Sequence, residues 1–309
     1  MPGLEATTAP AEGRWSSRSV GSRLQHGIFY ALVRLGGRRA AYALLYPVVA
    51  YYALASGAAR RRACHYLSRR FPDHRGARRL GDTFRLLLDL GKVLVDRAVV
   101  GILGPDELGV RLDGREELLA ALGEGRGLIL VTAHVGCWQV AMAALGFLGK
   151  PVSMLMHRED GDVDRQYFEH AGLPCPYRVI DPRGYLGGAL EMLQVLKAGE
   201  VLCVMGDRVM GSQRNVLRVP FLGEEAPFPF SAFKLAASTR APVAVLLSHK
   251  SGPASYVLEA GPILRLPEGL GRRDEDLRPY VTQFVEVLER FTAKHPFQFF
   301  NFYDMWAGA

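Results

Sequence analysis

The run Leu128-Ile129-Leu130-Val131-Thr132-Ala133-His134-Val135-Gly136-Cys137-Trp138-Gln139 carries more of the fold than any other stretch. Leu128 to Val131 is continuously apolar and reads as a buried strand ending at Thr132-Ala133-His134. A helical pattern resumes at Trp138. The histidine therefore sits at the carboxyl end of a strand, beside a glycine, at the mouth of a helix. Open α/β sheets bind their ligands at that edge. An imidazole there is suited to take a proton from a hydroxyl, because its ordinary pKa lies near neutrality. A packed or capping histidine is the plainer alternative.

Working outward, strand and helix patterns alternate. Helical spacing over Asp82–Val100 precedes the run. After it come a helix over Trp138–Leu148, a strand over Val152–Met156, a helix over Val163–His170 and a short strand over Tyr177–Ile180. An amphipathic segment over Tyr185–Leu196 leads to a strand over Val201–Met205, which ends in Gly206-Asp207-Arg208. A strand over Val216–Phe221 opens a glycine- and proline-rich loop. A helix over Phe230–Ser238, strands over Val243–Ser248 and Tyr256–Ala260, and a long helix over Leu277–Lys294 complete the pattern. The expected class is α/β, a mainly parallel mixed sheet flanked by helices.

The 309 residues carry a net charge of +7, unevenly placed. Residues 1–79 hold fourteen arginines, no lysine, and only Glu5, Glu12 and Asp73, a local excess of +11; the remainder is −4. Such asymmetry points to an anionic surface as partner. Ala40–Ser56 then separates nucleic acid from membrane: it is uncharged, holds four tyrosines, and lies between Arg38-Arg39 and Arg60-Arg61-Arg62. A nucleic-acid segment interleaves basic and polar residues, so nucleic acid is not expected. Seventeen residues are slightly short for a span of ~20, and Pro47 is expected to kink the helix. Together with Gly27–Leu35 the block reads as a helical hairpin dipping into one leaflet, tyrosines at headgroup level and arginines on anionic lipid. A buried core helix of a soluble protein remains open. No signal peptide is evident in the first 26 residues. The chain is divided into a basic helical segment, 1–79, and an α/β body, 80–309.

Cys64, Cys137, Cys175 and Cys203 form no paired motif, and the histidines outside the central run show no ligand spacing. Neither metal nor cofactor is expected. Cys137 lies near His134, so a cysteine nucleophile is a further possibility. There is no nucleophile elbow, phosphate loop or His-Glu-x-x-His. Parallel strands would bring His134 and Asp207 to one rim, where a carboxylate can fix the imidazole tautomer. Arg208 is suited to grip a phosphate as a bidentate fork, and Ser212-Gln213-Arg214 and Arg218 add charge downstream. A solvated turn and loop is the alternative for all of these. Phe221, Phe228 and Phe230 suit a core or an acyl channel, with core favoured; the aromatic run Phe297–Trp306 suits a core or a membrane interface.

Several of these motifs, in order, resemble the lysophospholipid acyltransferase superfamily, on the branch of bacterial lipid A biosynthesis acyltransferases. The likeness is greatest to relatives found with aryl polyene and pigment gene clusters. It rests on Trp15 with Ser17-Arg18-Ser19, Leu45–Tyr52, the His134 block, Gly206-Asp207-Arg208, Val219–Gly223 and Phe299–Trp306. The resemblance implies acyl transfer from an acyl carrier protein or coenzyme A thioester to a hydroxyl of a membrane lipid. It places the protein on the cytoplasmic face of a bacterial inner membrane, held through residues 27–57. It makes His134 the general base, in direct attack without an acyl-enzyme, and Gly136, Trp138, Gln139, Arg208 and Arg214 substrate-binding. The signature is His, four residues, then Asp or Glu, and here Gln139 stands in place of the acid. Either activity is weakened or lost, leaving a lipid- or carrier-binding homologue, or Asp207 takes the acidic role. A thioester hydrolase is a third reading.

Overall fold

The computed structural model describes residues 23–157, 177–209, 215–267, 269–270 and 273–307. Trp15 and its neighbours, the helix expected over 163–170, Cys175 and residues 212–214 fall outside the described residues.

Seven strands form one sheet. In chain order they are β1 (Gly109–Asp113), β2 (Leu128–Thr132), β3 (Val152–Leu155), β4 (Arg178–Ile180), β5 (Val201–Met205), β8 (Val243–Gly252) and β9 (Ser255–Leu264). Their spatial order is β1-β9-β8-β2-β5-β3-β4. Only the β8–β9 pairing is antiparallel; every other pair is parallel. β2 lies at the centre with all five residues buried, as its unbroken apolar run requires. β1, largely exposed, offers no such pattern, and neither it nor α4 (Arg115–Leu122) is apparent in the sequence.

The body is covered by α5 (Trp138–Ala144), α6 (Ala189–Lys197), α7 (Ser231–Thr239) and α8 (Arg278–Lys294). The expected loop from Pro220 to Phe230 is instead half of a hairpin. β6 (Val216–Phe221) and β7 (Glu224–Pro229) pair antiparallel around Leu222-Gly223, with φ of 53° and 85°. Two consecutive positive φ values mark a type I′ turn, which fits the twist of a two-stranded ribbon. Its prolines are tolerated because both strands are edges. Phe221, Phe228 and Phe230 are fully buried. The terminal aromatic run closes on them: Trp306 stacks on Phe221 at 5.8 Å and donates its indole N–H to the Phe221 carbonyl. Phe299 meets Phe221 edge-on at 5.9 Å. Both aromatic groups are therefore core, each ring contributing about 1.5–3 kcal/mol of burial.

The first three helices are α1 (Arg23–Ala55), α2 (Gly57–Arg70) and α3 (Gly76–Leu103), and α3 runs across position 79/80. The expected hairpin turn between 35 and 40 is a single non-helical residue, Gly37 (φ 63°, ψ −169°). Pro47 is carried inside the helix, its ring exposed, and is not where the helix breaks. The sharp bend comes at Ser56, where α1 and α2 meet at 88° and the Ser56 hydroxyl accepts the Ala59 N–H. One face of α1, through Val33, Ala41, Leu45 and Val49, packs on Leu88, Val95 and Val99 of α3. The opposite face presents Leu35, Tyr46, Tyr51 and Leu54, each more than half exposed. Among the described residues no single helix is long and apolar enough to cross a membrane; the bent α1–α2 pair passes that test together, by length and composition only.

Candidate active site

Register brings the two chemically loaded strand ends together. Thr132 of β2 is level with Met205 of β5, so His134 and Asp207, each two residues further on, are neighbours on the same rim. His134 Nδ1 lies 2.9 and 3.0 Å from the two Asp207 oxygens, and the His134 backbone N–H donates to Asp207 Oδ2 at 3.1 Å. Asp207 is 1% exposed and the His134 side chain 21%. With the Nδ1 proton directed at the carboxylate, the imidazole lone pair sits on Nε2.

The turn is built by two glycines and a serine. Gly136 has φ 49°, and a Cβ there would stand 2.1 Å from the Ser248 carbonyl oxygen, so no other residue fits. Ser248 Oγ accepts from the Cys137 N–H and donates to the Val135 carbonyl. A Cβ on Gly206 would meet Val131 and Phe284 within 2.8 Å. The terminal segment locks the turn from below: Phe300 N–H donates to the His134 carbonyl, and Gly136 N–H to that of Gln298. Sequence patterns could not foresee this bracing by Ser248, Gln298 and Phe300, which are remote in the chain and carry no motif.

Arg208 is buried beneath the rim rather than displayed on it. One guanidinium nitrogen donates to the Phe300 carbonyl at 2.8 Å, and the group lies over the Tyr303 ring. Burial foremost, then the Arg208 charge, lowers the His134 pKa, against the upward pull of Asp207. Burial alone would raise the Asp207 carboxyl, but His134 first and Arg208 next hold it below the usual carboxylate value. A neutral histidine and an ionised aspartate result at neutral pH.

Gln139 is buried, and its Oε1 accepts from the Cys137 thiol at 3.6 Å. Burial pushes that thiol up to about 11, which removes the thiolate a cysteine nucleophile needs. Trp138 leans on Tyr177 beside the turn. Arg214 lies outside the described residues.

The family model for bacterial lipid A biosynthesis acyltransferases matches residues 25–307. The chain belongs to that family. This acyltransferase is also similar to the crystal structure of the 1-acyl-sn-glycerophosphate (LPA) acyltransferase PlsC from Thermotoga maritima. Identity is 17%, with a TM-score of 0.37 over 83% of this chain and 98% of that one. None of the curated proteins matches it. The protein is a lipid acyltransferase built on a mostly parallel seven-stranded sheet.

Proposed function

We propose that this acyltransferase moves a fatty acyl group from an acyl carrier protein or coenzyme A thioester to a hydroxyl of a membrane lipid or glycolipid. His134 is the general base. The carrying observation is the partly exposed His134 ring whose Nδ1 is held by a fully buried carboxylate. His134 Nε2 takes the acceptor's hydroxyl proton as the oxygen attacks the thioester carbonyl. The C–S bond then breaks, and the departing thiolate recovers that proton from the imidazolium. Asp207 fixes the tautomer and supports the imidazolium, the acidic role that Gln139 cannot perform. Arg208 contributes positive charge from beneath, and backbone amides of the rim loops receive the developing oxyanion. Gly136 and Trp138 shape the approach to the ring, and Arg214 is assigned to substrate binding.

The outward apolar face of α1, with Tyr46 and Tyr51 among its exposed residues and Arg61 and Arg62 exposed on α2, suits a shallow seat on an anionic leaflet, cytoplasmic side. A helix covered by water on that side would be expected to turn polar residues outward.

The test is thiol release from a panel of acyl-carrier-protein and coenzyme A thioesters with bacterial lipid extract as acceptor, wild type beside His134→Ala, and mass spectrometry of the lipids. Histidine-dependent release with a matching acylated lipid is expected. Release without any new lipid would replace the transferase reading by a hydrolase, and equal release by the variant would remove His134 from the chemistry.

A further inference from the structure

Near the end of α8, three side chains from three elements converge. His249 comes from β8, Glu259 from β9, and His295 caps the carboxyl end of α8. Each offers a ligand atom, and these atoms lie within 4.8 Å of one another. The His249 ring stacks on that of His295, centroids 3.9 Å apart. His249 is 7% exposed, yet its Nδ1 makes no hydrogen bond; nor does the buried Nε2 of His295. Buried imidazole nitrogens are ordinarily satisfied, and two orphans in one cluster call for a common partner. Glu259 Oε1 stands 3.7 Å from His249 Nδ1, beyond hydrogen-bond reach.

We propose that His249, Glu259 and His295 bind one divalent transition-metal ion of the zinc class, with a fourth position open to water. Two imidazoles and one carboxylate are a donor set zinc accepts, with bonds of about 2.0–2.2 Å and hence roughly 3.4 Å between ligands of a tetrahedron. The present spacing must contract by little more than an ångström. Glu259 and His295 are only partly buried and supply the movement, the two rings opening from their 18° stack. Glu259 already attracts a cation: Lys294 Nζ reaches it at 2.8 Å with a side chain 63% exposed, so an ion can displace it at small cost.

An ion here would tie the β8–β9 hairpin to the end of α8. Gln298 and Phe300, a few residues beyond His295, brace the His134 turn. The site is independent of the acyl-transfer chemistry and would tighten the segment on which that chemistry rests.

The experiment uses the full chain, chelator-treated, titrated first with Co²⁺ and then with Zn²⁺. One equivalent of Co²⁺ should bind with the visible absorption of a tetrahedral site, Zn²⁺ should displace it, and the thermal midpoint should rise on binding. His295→Ala should abolish the absorption and the rise. Glu259→Gln, at a partly exposed position and nearly isosteric, keeps the test open should His295→Ala not fold. It should weaken Zn²⁺ by more than the roughly tenfold that even an outer-shell loss costs. Absence of one-equivalent binding in the wild type, or wild-type binding by the folded variants, would overturn the site.

Discussion

Asp207 and Asp96, two of the aspartates buried among the described residues, are used in opposite ways. Asp207, 1% exposed, directs both oxygens at one histidine whose ring is 21% exposed. Asp96, 0% exposed on α3, accepts from Tyr42 and Tyr256 hydroxyls at 2.6 Å each and from Lys250 Nζ at 2.5 Å. Burial pushes both tyrosines up, so they stay protonated donors, and Lys250 also reaches the Pro253 carbonyl. The Asp96 cluster is a closed circuit that fastens α1 and α3 to the β8–β9 hairpin. The Asp207 cluster ends on an imidazole that can exchange a proton. Perturbed titratable groups occur in both, so perturbation alone does not mark a functional site. What separates them is whether the last group of the network is a proton acceptor at a partly open edge.

The sharpest way to break this comparison is Asp207→Asn. It should lower kcat by about 10²–10⁴-fold, the usual worth of positioned acid–base catalysis. The pH profile separates a chemical role from a structural one. His134 lies below its ordinary 6.5, so wild-type kcat/KM should stay on its plateau at pH 7 and fall only on an acid limb below 6.5. Asp207 pulls that pKa upward, so its loss should move the limb to still lower pH while the plateau drops. A lower plateau with an unmoved limb, tracking a smaller folded fraction, would reduce Asp207 to the status of Asp96.

Asp96→Ala tests the other half. It strands a buried ammonium and two phenol hydroxyls, and breaking a buried pair costs about 3–5 kcal/mol. Urea unfolding should show that loss, while kcat per folded molecule falls less than about tenfold, under ~1.4 kcal/mol of barrier. A collapse of kcat with stability intact would mean that the Asp96 cluster shares in the chemistry.

Where a periodic pattern existed, the sequence was legible. The all-buried β2, the nearly all-buried β5, the helical spacing of α8 and the pairing of two parallel strand ends follow from apolar runs, periodicity and length. Edge strand β1 was invisible because exposed edges carry no apolar signature. The β6–β7 hairpin was hidden by Pro220, Pro227 and Pro229, which argue against a central strand but not against a ribbon with two free edges. At the site, His134 and Asp207 announced themselves through residue type at strand ends. Arg208 misled in its setting: Gly-Asp-Arg reads as an exposed rim, whereas the chain returns at Phe300 and covers it. Long-range closure of this kind leaves no local mark. The Asp96 circuit and the His249 cluster, each assembled from three or more elements, are illegible for the same reason.

The smallest expected effect is at Gln139, where the family's acidic residue is missing. Because His134 Nδ1 is already bonded to Asp207 and Gln139 instead accepts from Cys137, restoring the acid by Gln139→Glu adds no necessary partner. It should change kcat by less than about threefold, or raise it modestly, below ~0.7 kcal/mol of barrier. In the Asp207→Asn background the same substitution gains meaning. A carboxylate at 139 that recovers activity there would show that either position can supply the charge, provided the ring turns toward it. No recovery, with both proteins folded, would show that the strand register fixes the ring on Asp207 alone. A loss in the single variant as large as that of Asp207→Asn would instead mean that the amide of Gln139 holds the His134 turn, and the division between a working aspartate and a fastening one would have to include it.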